Sequence, residues 1–253
     1  AAYGSALVIL LRAAGYDVYA EYYVNDAGSQ IAHLAESGNA RYLQLLGKDA
    51  DVPEDGYHGY DIVETAKSLI DREGDAYLSM DEEARLKVFK TVALNEKLSI
   101  LKKDLADFHV TFDNWFSEKS LYPKQVDDAL AALKKDGYLY EKDGAWLLAT
   151  TKNGDDKDRV VIRANGAPTY FCSDIAYVPN KEKRGYNKLI DIWGADHHGY
   201  IIRIHSAMKF LGYDPEDFEI MLLQMVTLLR EGQPVKMSKR TGQAVTLREL
   251  MDE

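Results

Sequence analysis

Helix and strand signals alternate at both ends of this chain and stop alternating in the middle, and that interruption limits the fold more than any other feature. Residues 3–14, Tyr3 to Ala14, are apolar on most sides and are followed by Gly15, which predicts a helix with a glycine stop. Asp17–Val24 sets Val18, Ala20 and Tyr22 against Tyr19, Glu21 and Tyr23, the period of a strand. The polar turn Asn25-Asp26-Ala27-Gly28 then opens a helix predicted from Ser29 to Glu36. The same alternation resumes later, with a helix predicted over Cys172–Lys183, a buried strand over Leu189–Trp193, a helix over His197–Leu211 and a strand over Phe218–Leu223. This is the pattern of an α/β fold with a doubly wound parallel sheet, in which ligands bind beyond the C-terminal ends of the strands.

The middle follows another rule. Asn39–Leu46, Tyr60–Arg72 and Asp81–Phe108 predict charged helices; Asp81 caps the last, and Glu82 and Glu83 complement its dipole. Leu94, Leu98, Leu101 and Leu105 form a stripe expected to face a core. Between Ala84 and Lys103 six basic residues stand against the single acid Glu96, either a basic patch or a solvated helix face. His109–Phe116 alternates like a strand, and Pro123–Lys135 is a helix entered through proline. Tyr138–Tyr140 with Ala145–Ala149 predicts one hairpin, and Asp158–Ala164 with Thr169–Phe171 a second. Residues 39–168 are therefore expected to be a mostly helical insertion carrying β-hairpins, between the halves 1–38 and 169–253 of one α/β domain.

Composition narrows the function. A net charge of −10 does not advertise nucleic-acid binding, so any such contact must be local. The single cysteine, Cys172, excludes an internal disulfide and fits a reducing compartment. No apolar run is long enough to span a membrane, and Ala1-Ala2-Tyr3-Gly4 has neither the charged start nor the cleavage site of a signal peptide. A cytoplasmic, monomeric protein is expected.

Three stretches carry chemistry. In Lys236-Met237-Ser238-Lys239-Arg240-Thr241-Gly242, two lysines flank a small hydroxyl in a loop closed by glycine. Mobile ammonium groups suit charge that shifts between phosphate oxygens, although a solvated basic turn has the same spacing. Asp196-His197-His198-Gly199 follows a predicted strand and opens a helix. Neutral imidazoles there can donate to ribose or phosphate oxygens. A metal site using Asp196, His197, His198 and His205 is the competing reading, weakened because the adjacent histidines diverge and His205 falls on the face of neither. Tyr170 and Asp174 share one side of a helix start, a carboxylate and an aromatic ring suited to a guanidinium. Capping and core packing would explain the same pair. Glu21, Asn25 and Asp26 end the first strand. The run Asp155-Asp156-Lys157-Asp158 after Asn153-Gly154 suggests a turn and no assigned role.

Lys-Met-Ser-Lys-Arg, with Gly232-Gln233-Pro234-Val235 before it and Val245-Thr246-Leu247-Arg248 after it, resembles the ATP-binding loop of class I aminoacyl-tRNA synthetases, in particular the arginyl branch. Trp193-Gly194-Ala195-Asp196-His197-His198-Gly199 resembles the same branch. The resemblance implies activation of arginine with ATP and Mg2+ and transfer to tRNA(Arg), without a metal held by protein ligands. It implies catalytic roles for Lys236 and Lys239, and ATP contacts from Asp196, His197, His198, Gly199, Met237 and Ser238. It assigns arginine contacts to Tyr170, Asp174, Asn25, Asp26 and Glu21. The family's His-x-Gly-His signature is absent from this sequence, from which a fragment inactive on its own is expected. Two alternatives stay open: a manganese phosphoesterase of the Asp-His-His type drawing on Asp26 and Asp174, and a non-catalytic synthetase-like binding fragment.

Overall fold

The computed structural model describes residues 1–230, 232–235 and 245–253, with only the backbone of Ser29. They form two compact units, Ala1–Phe116 with Thr227–Glu253, and Ser117–Val226.

The first unit begins with helix α1 (Ala2–Ala13), which has no buried residue; Ile9 and Leu10 are 62% and 67% exposed. Arg12 anchors the segment after the helix, donating to the Val18 carbonyl at 2.8 Å and to Asp113 at 2.7 Å. Strand β1 (Glu21–Val24) is shorter than the alternation over residues 17–24 predicts. Helix α2 (Ser29–Leu45) runs straight through position 38, where the sequence suggests a break. Gly38 has a packing reason to be glycine: a Cβ there would lie 3.1 Å from the Phe89 ring. Helices α3 (Tyr60–Glu73) and α4 (Glu82–Asp107) complete the bundle around Ala35, Tyr42, Ala66, Leu69 and Phe89. Asp81 caps α4 as expected, accepting from Ala84 N–H at 2.8 Å.

The leucine stripe is only partly right. Phe89, Ala93 and Leu105 are the buried residues of α4, whereas Leu94, Leu98 and Leu101 are partly exposed, because α2 and α3 meet an earlier part of the helix. The basic patch is largely spoken for: Arg85 donates to Asn39, Lys87 pairs with Glu83, Lys97 with Asp61 and Lys103 with Asp107. Strand β2 (Asn114–Ser117) is the only strand in the segment predicted to alternate from His109, and it pairs with β1. His109 itself takes a positive φ of 59°, which no strand tolerates.

The second unit opens with α5 (Lys124–Lys135), whose buried face is Val126, Ala129, Leu130 and Leu133. Strands β3 (Leu139–Lys142) and β4 (Ala145–Leu148) form the predicted hairpin, with Asp143 and Gly144 both at positive φ. The predicted second hairpin does not form. Strand β5 (Arg159–Ile162) pairs antiparallel with β4, and its link to the following segment is a single bridge, Ile162 to Pro168. Thr169, whose hydroxyl donates back to the Val160 and Val161 carbonyls, immediately precedes α6 (Tyr170–Glu182), so Tyr170 and Phe171 lie in a helix. Phe171, Cys172, Ser173, Ile175, Ala176, Val178 and Lys181 are buried along α6. Strand β6 (Leu189–Gly194) leads through a 3-10 turn, Ala195–Tyr200, into α7 (Ile201–Phe210), and β7 (Phe218–Leu223) pairs parallel with β6 from Leu189–Phe218 to Gly194–Leu223.

The chain then returns to the first unit with the short pair β8 (Leu229–Arg230) and β9 (Gln233–Pro234) and helix α8 (Leu247–Asp252). Thr246 and Glu249 form a reciprocal capping box, and Arg248 binds Asp104 at 2.7 Å and also Asp107 on α4. Among the described residues no helix is long and apolar enough to cross a membrane.

Candidate functional site

Asp174 sits one turn into α6, and the surrounding elements make it an unusual carboxylate. The Tyr200 hydroxyl, at the end of the 195–200 turn, donates to Asp174 Oδ2 at 2.5 Å. Burial pushes the Asp174 carboxyl up to about 6; the Tyr200 bond opposes this, while the charges of Glu118 and Asp191 reinforce it. Lys181, the cation on the same helix, is held by Asp191 with two contacts of 2.9 Å. Glu118 is itself buried, 4% exposed. Nearby, burial pushes Tyr122 up to about 12 and the Cys172 thiol up to about 11, so both stay protonated at neutral pH. The cluster therefore offers two partly or fully buried carboxylates whose local lysine is already engaged. Tyr170 heads the helix one turn before Asp174 and is 51% exposed, on the helix start that its pairing with Asp174 requires and not in the expected hairpin strand.

The Asp-His-His-Gly stretch folds at the end of β6, but as a 3-10 turn. A Cβ at Gly194 would stand 2.4 Å from Asp196 Oδ1, so any larger residue there would push the exposed Asp196 carboxylate aside. Asp196 and His197 are exposed and 3.7 Å apart, and His197 joins Trp193 and Tyr200 in an aromatic group. His198 and Gly199 instead line a cleft of about 420 Å³ with Asn153, Ile201, Ile202, His205 and Lys209. The structure thus places His198 and His205 on one cleft, against the expectation that His205 shares no face with either histidine. The reason is the 3-10 turn, which advances by three residues per turn and shifts the α-helical phase assumed from sequence. Burial, helped by Lys209, holds His205 below its usual range. Among the described residues no group of three or more metal-ligating side chains exists.

Glu21, Asn25 and Asp26 belong to the first unit. Glu21 accepts from Asn114 Nδ2 at 2.5 Å, Asn25 is exposed and Asp26 half-buried. Lys236, Met237, Ser238, Lys239, Arg240, Thr241 and Gly242 lie outside the described residues.

The acidic run from Asp155 to Asp158 closes a turn. Asp155 accepts from Arg159 Nε at 2.8 Å and Nη2 at 2.6 Å, with both side chains mostly buried, and Arg159 also reaches Asp156. Asp158 accepts from Tyr140 at 2.6 Å and from the Thr151 hydroxyl at 2.7 Å. Two participants in the Asp174 cluster escape sequence reading. Tyr200 directly follows Asp-His-His-Gly and is legible as a neighbour of that motif; Glu118, in Ser-Glu-Lys-Ser, carries no signal.

The family described as tRNA synthetases class I (R), catalytic domain, matches residues 1–253. Arginine–tRNA ligase of Geobacillus kaustophilus is 55% identical over 254 positions, covering all of this chain and 46% of that protein. The Desulfitobacterium hafniense protein of the same name is 52% identical and is covered to 45%. A solved Campylobacter jejuni chain assigned as an arginyl-tRNA synthetase superposes with a TM-score of 0.88 at 39% identity, over 99% of this chain and 55% of that one. The Thermus thermophilus arginyl-tRNA synthetase, at 21% identity and a TM-score of 0.65 over 98% of this chain and 47% of its own, shares the fold. The chain belongs to the arginyl family of class I aminoacyl-tRNA synthetases, as a catalytic-domain sequence. It spans about half the length of the curated relatives it matches. These comparisons favour neither the phosphoesterase nor the non-catalytic binding fragment.

Proposed function

We propose that this chain forms the arginine- and ATP-binding part of an enzyme that joins arginine to tRNA(Arg). In the first step an arginine carboxylate oxygen attacks the α-phosphorus of ATP. The bond from that phosphorus to the bridging oxygen breaks, and arginyl-adenylate forms as pyrophosphate leaves. The 3′-terminal ribose of tRNA then takes the arginyl group and AMP departs. The observation that carries this reading is the Asp174 cluster: a carboxylate under pressure to protonate, beside buried Glu118, with Lys181 bound elsewhere. A guanidinium entering there would relieve that pressure by pairing with the carboxylate, and its planar fork suits the task better than a point charge.

Tyr170 would stack on or bond the same group, with Glu21, Asn25 and Asp26 serving the rest of the amino acid. Asp196 to Gly199, with Met237 and Ser238, would hold ATP. Lys236 and Lys239, with Mg2+, would neutralise the charge gathering on the departing pyrophosphate, which is stabilisation of the transition state. In this reading β6 and β7 belong to the doubly wound parallel sheet of the class, residues 39–168 are its connective insertion, and the enzyme works as a cytoplasmic monomer.

The test is Asp174→Asn in the complete protein, assayed by pyrophosphate exchange with arginine and with citrulline, tRNA present. A neutral amide cannot select the charged fork, so discrimination against citrulline is expected to collapse. Selectivity equal to the wild type would remove Asp174 from the arginine site.

A further inference from the structure

The hydroxyl on Asp174 comes from a residue with a second attachment. Tyr200 closes the 195–200 turn, four residues after Asp196 and three after His197, and its ring is fixed from several directions. Phe171 packs edge-on at 5.8 Å and 72°, Trp193 at 5.9 Å and 65°, and His197 at 6.4 Å and 86° between ring centres. The Arg203 guanidinium lies 5.1 Å from the ring centre. A phenol held this firmly fixes where its proton points, and the recipient is one oxygen of Asp174.

From this geometry we infer that Tyr200 is a positioning residue for arginine. It engages Asp174 Oδ2 so that Oδ1 serves the guanidinium, and it ties the acid on α6 to the turn carrying Asp196 and His197. The inference rests on the reading of Asp174 as the arginine selector and adds the group that sets its orientation and charge. The charged neighbours bear this out. Glu118 from the 118–121 turn and Asp191 from β6 both disfavour an ionised Asp174. Lys181 favours it but is held by Asp191, and Tyr122 and Cys172 are neutral at working pH. The Tyr200 hydrogen bond is the largest influence that keeps the carboxylate charged.

The test is Tyr200→Phe in the complete protein, which removes one oxygen and keeps the ring. The KM for arginine is expected to rise about tenfold at pH 7.5, with kcat and the KM for ATP changed less than threefold. The acid limb of kcat/KM for arginine should move upward by about one pH unit, because the carboxylate loses the bond that favours its ionised form. Tyr200→His, which restores a ring-borne N–H donor, should recover at least part of the lost affinity. A Phe variant whose pH profile superimposes on the wild type overturns the inference. So does equal loss of arginine and ATP affinity in both variants, which assigns Tyr200 to folding. Asp174→Asn separates the layers: unchanged arginine selectivity in that variant sinks the underlying site, whereas lost selectivity beside a normal Tyr200→Phe profile sinks this inference alone.

Discussion

Asp155 and Asp174 are carboxylates of the same compact unit, and their surroundings drive them in opposite directions. The Arg159 guanidinium holds Asp155 well below the usual carboxylate range, and the pair closes the turn that leads into β5. Asp174 has a phenol for a partner, acids for neighbours, and a carboxyl pushed up to about 6. A buried charge answered from within the chain is architecture; one left for a ligand to answer, as we propose for Asp174, would be a binding site. Either group alone would read in sequence as an aspartate near a turn or a helix start.

The larger loss is expected at Asp155, whose charge is already paired. Arg159→Ala leaves Asp155 buried without its cation and is expected to cost about 3–5 kcal/mol of stability, read from urea melts at pH 7. A loss below about 1 kcal/mol would mean that the clasp is ornamental. Its pH signature comes from the sign of the shift. A depressed carboxylate contributes stability above its unfolded value near 4, and that contribution disappears as the pH falls below it.

The other carboxylate behaves in reverse. With its folded value raised, Asp174 binds more protons in the folded than in the unfolded state between about pH 4 and 6, so its contribution to stability falls as the pH climbs through that window. Asp174→Asn, without ligand, is therefore expected to stabilise the protein by about 1–2 kcal/mol at pH 7.5, allowing for partial exposure, and by almost nothing at pH 4. Unfolding midpoints at the two pH values decide it; a variant less stable at pH 7.5 contradicts the assignment. The same substitution that gains stability is expected to lose selectivity, the trade characteristic of binding sites. The smallest effect belongs to Tyr140→Phe, which deletes one of the hydrogen bonds to Asp158 and should cost about 1 kcal/mol. An equally small change in arginine KM is expected there, and a large one would move the clasp into the site.

How much of the molecule is legible in its sequence varies with the source of each signal. Local chemistry reads well: the Asp81 cap, the β3–β4 hairpin and the strands β6 and β7 are where residue types place them, although β6 is half-buried rather than buried, with Ile190 exposed. Long-range packing does not. The two helices expected at Ser29–Glu36 and Asn39–Leu46 are one, and Gly38 between them packs against Phe89, far along the chain. The stretch Thr169–Phe171 reads as a strand, yet Thr169 bonds back to Val161 and delivers Phe171 into a helix. Tyr170, Asp174 and the Asp-His-His-Gly turn can be picked from residue type and spacing, but the phase of the histidines cannot, because spacing alone does not announce a 3-10 turn. Glu118 and Tyr200 become partners of Asp174 only once 3-10 turns and helices are folded onto one another.

One buried atom has a practical consequence. The sulfur of Cys172 is the chain's only thiol, closed off inside α6 and held in its unreactive protonated form. Maleimide chemistry should therefore pass over this chain as folded, and a cysteine introduced at any of its exposed positions could be the one thiol of the chain to carry a fluorophore or spin label. Distances across this molecule can thus be surveyed one tag at a time without first rebuilding its interior.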